Sequence, residues 1–304
     1  MANIKSPITG GKTKKVGEIP TKLILGNIKK QFKLDMPELF EGLSFISIME
    51  CEDTGYRFYA PILKLDEESF YNRIGRNEGY YSSSRWEFEL SLNFIKPQDK
   101  ICEIGSGYGA YLDMLKEKGF DCYGIELNSN AVDVLRRKGH QASNTLIQDF
   151  CKTHEEEFDV VCFYQVLEHI SDVDLFMQNT LKIVKWGGQI LISVPNNDAF
   201  VMKYNYHKEA GNVPPHHVGL WGKQSLINLG NHYGLKLLNI VEQPLPKSYA
   251  GYYYSLKVIN KFGKLASIIV PLTRWLAKIF LKRRTHKILG PYVFVAFEKI
   301  GNGK

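Results

Sequence analysis

Ile101-Cys102-Glu103-Ile104-Gly105-Ser106-Gly107-Tyr108-Gly109 runs from an apolar strand into the start of a helix through three glycines. Glycines at such a turn allow a sharp change of direction and let a ligand approach the backbone closely. The free N–H groups at the start of the next helix suit a carboxylate or a phosphate. Glu126 ends the next apolar run, Cys122–Ile125, where a carboxylate can accept both hydroxyls of a ribose. Two cofactor classes use this arrangement. A dinucleotide asks for G-x-G-x-x-G/A, and Gly105, Gly107 and Ala110 satisfy it. Spacing by itself therefore leaves a nicotinamide-dependent oxidoreductase open.

Outward from this turn the text alternates strand and helix. Apolar runs at Ile101–Ile104, Cys122–Ile125, Phe158–Tyr164 and Gln189–Val194 are separated by helical patterns at Tyr108–Lys118, Ala131–Lys138 and Val173–Val184. Gly187 and Gly188 are expected to stop the last helix before its strand. Strands that are continuously apolar, rather than alternating, belong in a parallel sheet covered on both faces. Lys236–Val241 and Tyr292–Phe297 are expected to pair antiparallel at one edge. The expected fold class is α/β, Rossmann-like, with a mostly parallel sheet, an antiparallel last strand, and helices on both faces. A small N-terminal β-hairpin unit precedes it, Ser44–Cys51 with Tyr56–Tyr59 across the turn Glu52-Asp53-Thr54-Gly55. Residues 1–20, rich in Gly, Lys and Thr, read as loose. The domain reading is a ribbon-like unit at 1–66, a helical linker or lid at 67–96, and a cofactor-binding domain at 97–304.

Glu103 stands two positions before the first glycine, giving E-x-G-x-G-x-G. With it the chain resembles class I methyltransferases, in which that acid and the glycines border the methionine part of S-adenosylmethionine. Gln165-Val166-Leu167-Glu168-His169-Ile170 resembles the Val-Leu-Glu-His segment after strand four of a large methyltransferase group. Trp186-Gly187-Gly188, a strand, and Val194-Pro195-Asn196 follow in that group's order. The resemblance covers about Glu87 to Val241. It implies S-adenosylmethionine as cofactor, held by Glu103, Gly105, Ser106, Gly107, Gly109, Glu126 and Leu127. Tyr164, Gln165 and Val166 after strand four, and Thr145 and Leu146 after strand three, complete the expected set.

The N-terminal part resembles a small zinc-binding unit that precedes the catalytic domain in some bacterial sugar and polysaccharide methyltransferases. Those open with two Cys-x-x-Cys pairs. Here Ser6, Thr9, Cys51 and Thr54 occupy the four ligand positions, and neutral hydroxyls do not replace thiolates in a tetrahedral site. The ribbon's shape is expected without its metal, and no other metal site is expected.

Methyl transfer is an in-line displacement at a sulfonium, so the protein mainly aligns donor and acceptor. A hydroxyl acceptor also benefits from a general base, for which histidine is the usual choice. His216 and His217, in Val213-Pro214-Pro215-His216-His217-Val218, follow the fifth strand; with His169 they are the catalytic candidates. Tyr80, Tyr81 and Trp86 are candidates for a lid, and Tyr204, Tyr206 and His207 for the acceptor pocket. The acceptor class expected is a small molecule or saccharide, methylated at oxygen. No Asn/Asp-Pro-Pro-Tyr phrase is present, which argues against a nucleic-acid substrate.

The 304 residues carry a net charge of +7, unevenly spread. Between Gly251 and Leu289 there are nine Lys or Arg and no Asp or Glu, which exceeds the whole net excess. Within it Ser267–Leu281 reads as an amphipathic helix containing Pro271. Docking on the domain is the expected role for its apolar face; the sharper alternative is peripheral contact with an anionic membrane. Five cysteines at irregular spacing argue against a disulfide framework and for a cytoplasmic setting. Met1–Lys5 leads into no apolar core of the kind a secretory signal needs.

Overall fold

The computed structural model describes residues 4–63, 70, 85–204 and 209–301. Tyr80, Tyr81, Tyr206 and His207 lie outside the described residues, as does most of the expected helix Glu67–Phe94.

The N-terminal unit begins with strand β1 (Thr13–Pro20) and a helix, Thr21–Phe32, followed by β2 (Phe45–Cys51) and β3 (Arg57–Ala60). The hairpin forms as expected, with Ile48 opposite Tyr59 and Met49 opposite Phe58. Residues 13–20 are not loose, which corrects the reading of residues 1–20. They pair antiparallel with β2, Thr13 against Cys51 through Pro20 against Phe45. Only Ile19 of this strand is buried, so it shows no alternation; its lysines face water, as on many edge strands.

The larger sheet is built from β4 (Lys100–Ile104), β5 (Asp121–Ile125), β6 (Gln141–Ser143), β7 (Phe158–Tyr164) and β8 (Val184–Pro195). After them come β9 (Gly219–Leu220), β10 (Lys236–Pro244) and β11 (Leu289–Glu298). Its order is β10-β11-β8-β7-β4-β5-β6. β4 to β8 run parallel, and β11 enters antiparallel between β8 and β10. The helix Val173–Ile183 stops at β8 itself, because the strand begins at Val184 and carries Gly187 and Gly188 within it. Gly188 has no room for a Cβ, with two backbone oxygens 2.9 Å from where it would lie.

Successive residues of each strand feed opposite layers, which explains the continuous apolar runs. Cys102, Ile104, Val161, Phe163, Ile190, Ile192 and Val295 point into one core. Ile101, Cys122, Val160, Cys162, Leu191 and Phe294 point into the other. Two covering helices are capped from the side: Asn128 accepts from the amides of Asn130 and Ala131, and Asp172 from that of Leu175.

β9 does not join the larger sheet. It pairs with β3, so the small sheet takes its fourth strand from the far side of the cofactor-binding segment. Arg57 bonds Asp198 at 2.7 Å, and Tyr56 packs on Trp221 with ring centroids 4.2 Å apart. At the other end, helices Ala250–Phe262 and Ala266–Lys282 pack against each other between β10 and β11. The second helix docks on the first, but part of its apolar face stays uncovered. Ile268, Leu272, Trp275 and Ile279, with Leu265 just before them, are exposed; Leu272 is 74% and Trp275 70% accessible.

Candidate active site

The carboxyl ends of the parallel strands open into one cavity of about 1390 Å³. Ligands of open α/β sheets bind in this position, outside the strand ends where the order reverses. Gly105 closes β4 with φ at +77°, and a Cβ there would collide with the Val166 side chain. Glu126, just past β5, accepts from the amide of Gly107 at 2.8 Å and from that of Asn128 at 2.8 Å. Burial raises its carboxyl above the usual range, against those two amide bonds. Gln165, just past β7, has φ of +58°, a left-handed conformation uncommon for a side-chain-bearing residue. It is held there by its amide to Ser193 O at 2.7 Å and its side chain to Ser193 Oγ at 3.2 Å.

The cavity wall brings together most of the residues expected from the sequence: Gly105, Glu126 and Leu127, then Thr145, Leu146, Tyr164, Gln165 and Val166, and His169, His216 and His217. Glu103, Ser106, Gly107 and Gly109 do not reach the wall; they lie behind it. Glu103 is buried, and burial pushes its carboxyl up to about 8 despite Arg85 nearby. Ser106 turns back to Ile125 O, and Gly109, at φ +83°, would drive a Cβ into Leu135. Tyr164 touches the cavity, but its ring packs in the core on Tyr111 at 5.2 Å and Phe88 at 5.9 Å. Trp86 is on the wall, edge-on to Phe294, whereas Tyr204 stacks on Phe200 away from it.

The three histidines, far apart in the chain, form one cluster. Ring centroids are 4.6 Å apart for His169–His216, 4.8 Å for His169–His217 and 4.7 Å for His216–His217. His169 Nδ1 donates to His216 O at 2.6 Å and His216 Nδ1 to Gly211 O at 2.8 Å. His217 Nδ1 bonds the side-chain oxygen of Asn212 at 3.0 Å, and Asn212 is held in turn by Asn197. Burial lowers all three imidazoles, His169 to about 3 and His216 to about 4. They are neutral near pH 7.

Sequence reasoning missed four residues. Arg85 and Glu87 lie on the cavity wall, Glu87 almost wholly buried and its carboxyl raised by that burial. Glu168 belongs to the quoted Val-Leu-Glu-His phrase but was assigned no role; it is fully buried and pushed up to about 8 by desolvation. Asn212 had no signal beyond its place before the two prolines.

At the other end of the chain, the hydroxyls of Ser6, Thr9 and Thr54 surround Cys51, with Thr9 Oγ1 3.7 Å from its Sγ. Burial raises the Cys51 thiol, but hydroxyls of Ser6, Thr54 and Thr9 outweigh it and bring the thiol below its usual value.

A family profile described as a methyltransferase domain matches residues 79–240, just over half of the chain. This chain belongs to that methyltransferase family. The oxidoreductase alternative left open by the glycine spacing is thereby set aside. Among curated proteins, the ubiquinone biosynthesis O-methyltransferase of Brucella anthropi is 31% identical over 119 residues, 36% of this chain and 47% of that protein. The protein of the same description from Brucella ovis is 33% identical over the same length and shares. The chain thus spans about half the length of the curated relatives it matches. A crystal structure of an S-adenosylmethionine-dependent methyltransferase from Archaeoglobus fulgidus aligns with a TM-score of 0.50 at 14% identity, over 70% of this chain and 91% of that one. At that identity the likeness concerns the fold, which is the α/β methyltransferase fold.

Proposed function

We propose that this methyltransferase domain moves the methyl group of S-adenosylmethionine to a hydroxyl of a small molecule or saccharide. The observation that carries the reading is the cavity itself. One wall is the Gly105–Glu126 turn that suits the cofactor, and the other is a cluster of three neutral histidines. The cofactor's ribose lies on Glu126 and its methionine end beside Gly105–Gly109, over Glu103. The acceptor's hydroxyl loses its proton beside His169, His216 and His217. The O–C bond forms as the S–C bond breaks, and the neutral thioether leaves. Relatives described as O-methyltransferases support oxygen as the atom methylated. The N-terminal unit we read as a ribbon that keeps its shape without its thiolate tetrad.

Calorimetry with S-adenosylhomocysteine, NAD and NADP tests the cofactor. Binding of the first alone is expected; binding of a nicotinamide nucleotide alone overturns the reading.

The partner we propose for the basic end is an anionic membrane surface, on its cytoplasmic side. Among the described residues no helix is long and apolar enough to cross a membrane. The helix Ala266–Lys282 instead presents Ile268, Leu272, Trp275 and Ile279 outward, in a stretch with no acidic residue. That combination suits a helix lying in the headgroup region.

A further inference from the structure

We infer that His169, His216, His217 and Glu168 form a binding site for a divalent transition-metal cation on the acceptor side of the cavity. The inference rests on the proposed methyl transfer and states how the acceptor is held and ionised. Each histidine offers one ring nitrogen, and these atoms lie within 4.8 Å of one another. Carbonyl oxygens and the Asn212 side-chain oxygen only accept hydrogen bonds, so each Nδ1 is the donor. A neutral ring then carries its lone pair on Nε2. Histidines that ligate metals are oriented the same way, the second nitrogen donating to a carbonyl or carboxylate.

Glu168 is an independent second observation. It is fully buried, and neither carboxylate oxygen accepts a hydrogen bond from any other described residue. Its Oε1 is 4.0 Å from His217 Nε2, and its backbone oxygen accepts from Val218, which ties it to the histidine loop. A carboxyl enclosed in this way needs a proton or a cation to balance its charge. Three imidazoles and one carboxylate make a donor set suited to zinc and other first-row divalent ions rather than to calcium or magnesium. Metal–nitrogen distances of about 2.0–2.1 Å ask the rings to close in by roughly 1 Å. A cation there would take the acceptor's oxygen as a fifth ligand and lower its pKa, so that the proton leaves to solvent before the oxygen takes the methyl group.

The test uses the full chain, stripped by a chelator and titrated with Co(II). Binding is read from the visible absorption of the coordinated ion and from elemental analysis. One tightly bound equivalent is expected, weakened at least about tenfold in His169→Ala, His217→Ala and the shape-conserving Glu168→Gln. Cys51→Ser, in the N-terminal cluster, is expected to leave it unchanged. Affinity for S-adenosylhomocysteine, measured on the same samples, reports folding and tests the methyltransferase reading separately. Protein that binds S-adenosylhomocysteine but takes up no stoichiometric Co(II) overturns the site. So does Co(II) held equally by all variants, which would be an adventitious ion only.

Discussion

Glu126 is the residue on which the cofactor reading turns. Its carboxylate already gathers two amides of the glycine loop and the next turn, so it both shapes the loop and faces the cavity. Glu126→Ala is expected to weaken S-adenosylhomocysteine binding by about 1.5–3 kcal/mol, the range for hydrogen bonds to a charged group. Unchanged affinity in a folded variant removes it from the site. Glu103 makes a different prediction, about stability. Burial raises its folded-state pKa from 4.5 to about 8, with Arg85 lowering it and Glu126 raising it further. A carboxyl shifted this way holds its proton in the folded state after the unfolded chain has lost it. Its contribution is full below about pH 4.5 and is lost as pH rises toward 8. The melting temperature of the cofactor-free protein, taken relative to that of Glu103→Gln, is therefore expected to fall across that window. Identical pH profiles for the two proteins would contradict the assignment.

At the scale of elements, the helix Ala266–Lys282 departs most from expectation. The exposed positions Leu265, Ile268, Leu272, Trp275 and Ile279 recur every three or four residues, which places them along one stripe. A stripe of that kind in water usually meets a partner. The charge nearby selects the partner's chemistry: Lys257, Lys261, Lys264, Arg274, Lys282, Arg283 and Arg284 with no acid among them. Sedimentation with vesicles is expected to carry the protein down when phosphatidylglycerol is present. Pure phosphatidylcholine should carry down much less, and added salt should weaken the binding. Leu272→Glu with Trp275→Glu should abolish it while leaving S-adenosylhomocysteine affinity intact. Binding that survives this pair, or a self-associating protein that ignores lipid, points to another occupant of the face.

Across the whole molecule, the N-terminal sheet and the histidine loop behave as one assembly. β9 lies against β3, and Tyr59 donates to Asn212 O at 2.9 Å while Asn212 holds His217. Phe32, at the end of the first helix, sits 5.7 Å from the His216 ring. The N-terminal unit thus supports the proposed acceptor side, and the glycine loop supports the proposed cofactor side. Tyr59→Phe removes one buried hydrogen bond and is expected to cost about 1 kcal/mol of stability. Urea unfolding reads that loss, and calorimetry should show S-adenosylhomocysteine affinity unchanged. A variant that loses cofactor affinity instead would mean the two sides are not separable.

The sequence alone determined the parallel core, the glycine turn and Glu126, because each is written in neighbouring residues. Apolar runs, glycine spacing and a strand-ending carboxylate act over one strand–turn–helix unit, where local sterics and hydrogen bonding decide the outcome. It determined the small hairpin for the same reason. Only the tertiary structure decided what depended on residues distant in the chain. β1 is a strand because β2 pairs with it, although its own pattern of Lys and Gly shows no alternation. His169 meets His216 and His217 because the Val218 amide reaches back to Glu168 O and lays the loop against the end of β7. Arg85 and Glu87 enter the cavity from a segment with no motif. The apolar stripe on the helix Ala266–Lys282 was visible as a period, but a period states that a face exists, not what covers it; that is settled by the packing of the remaining chain.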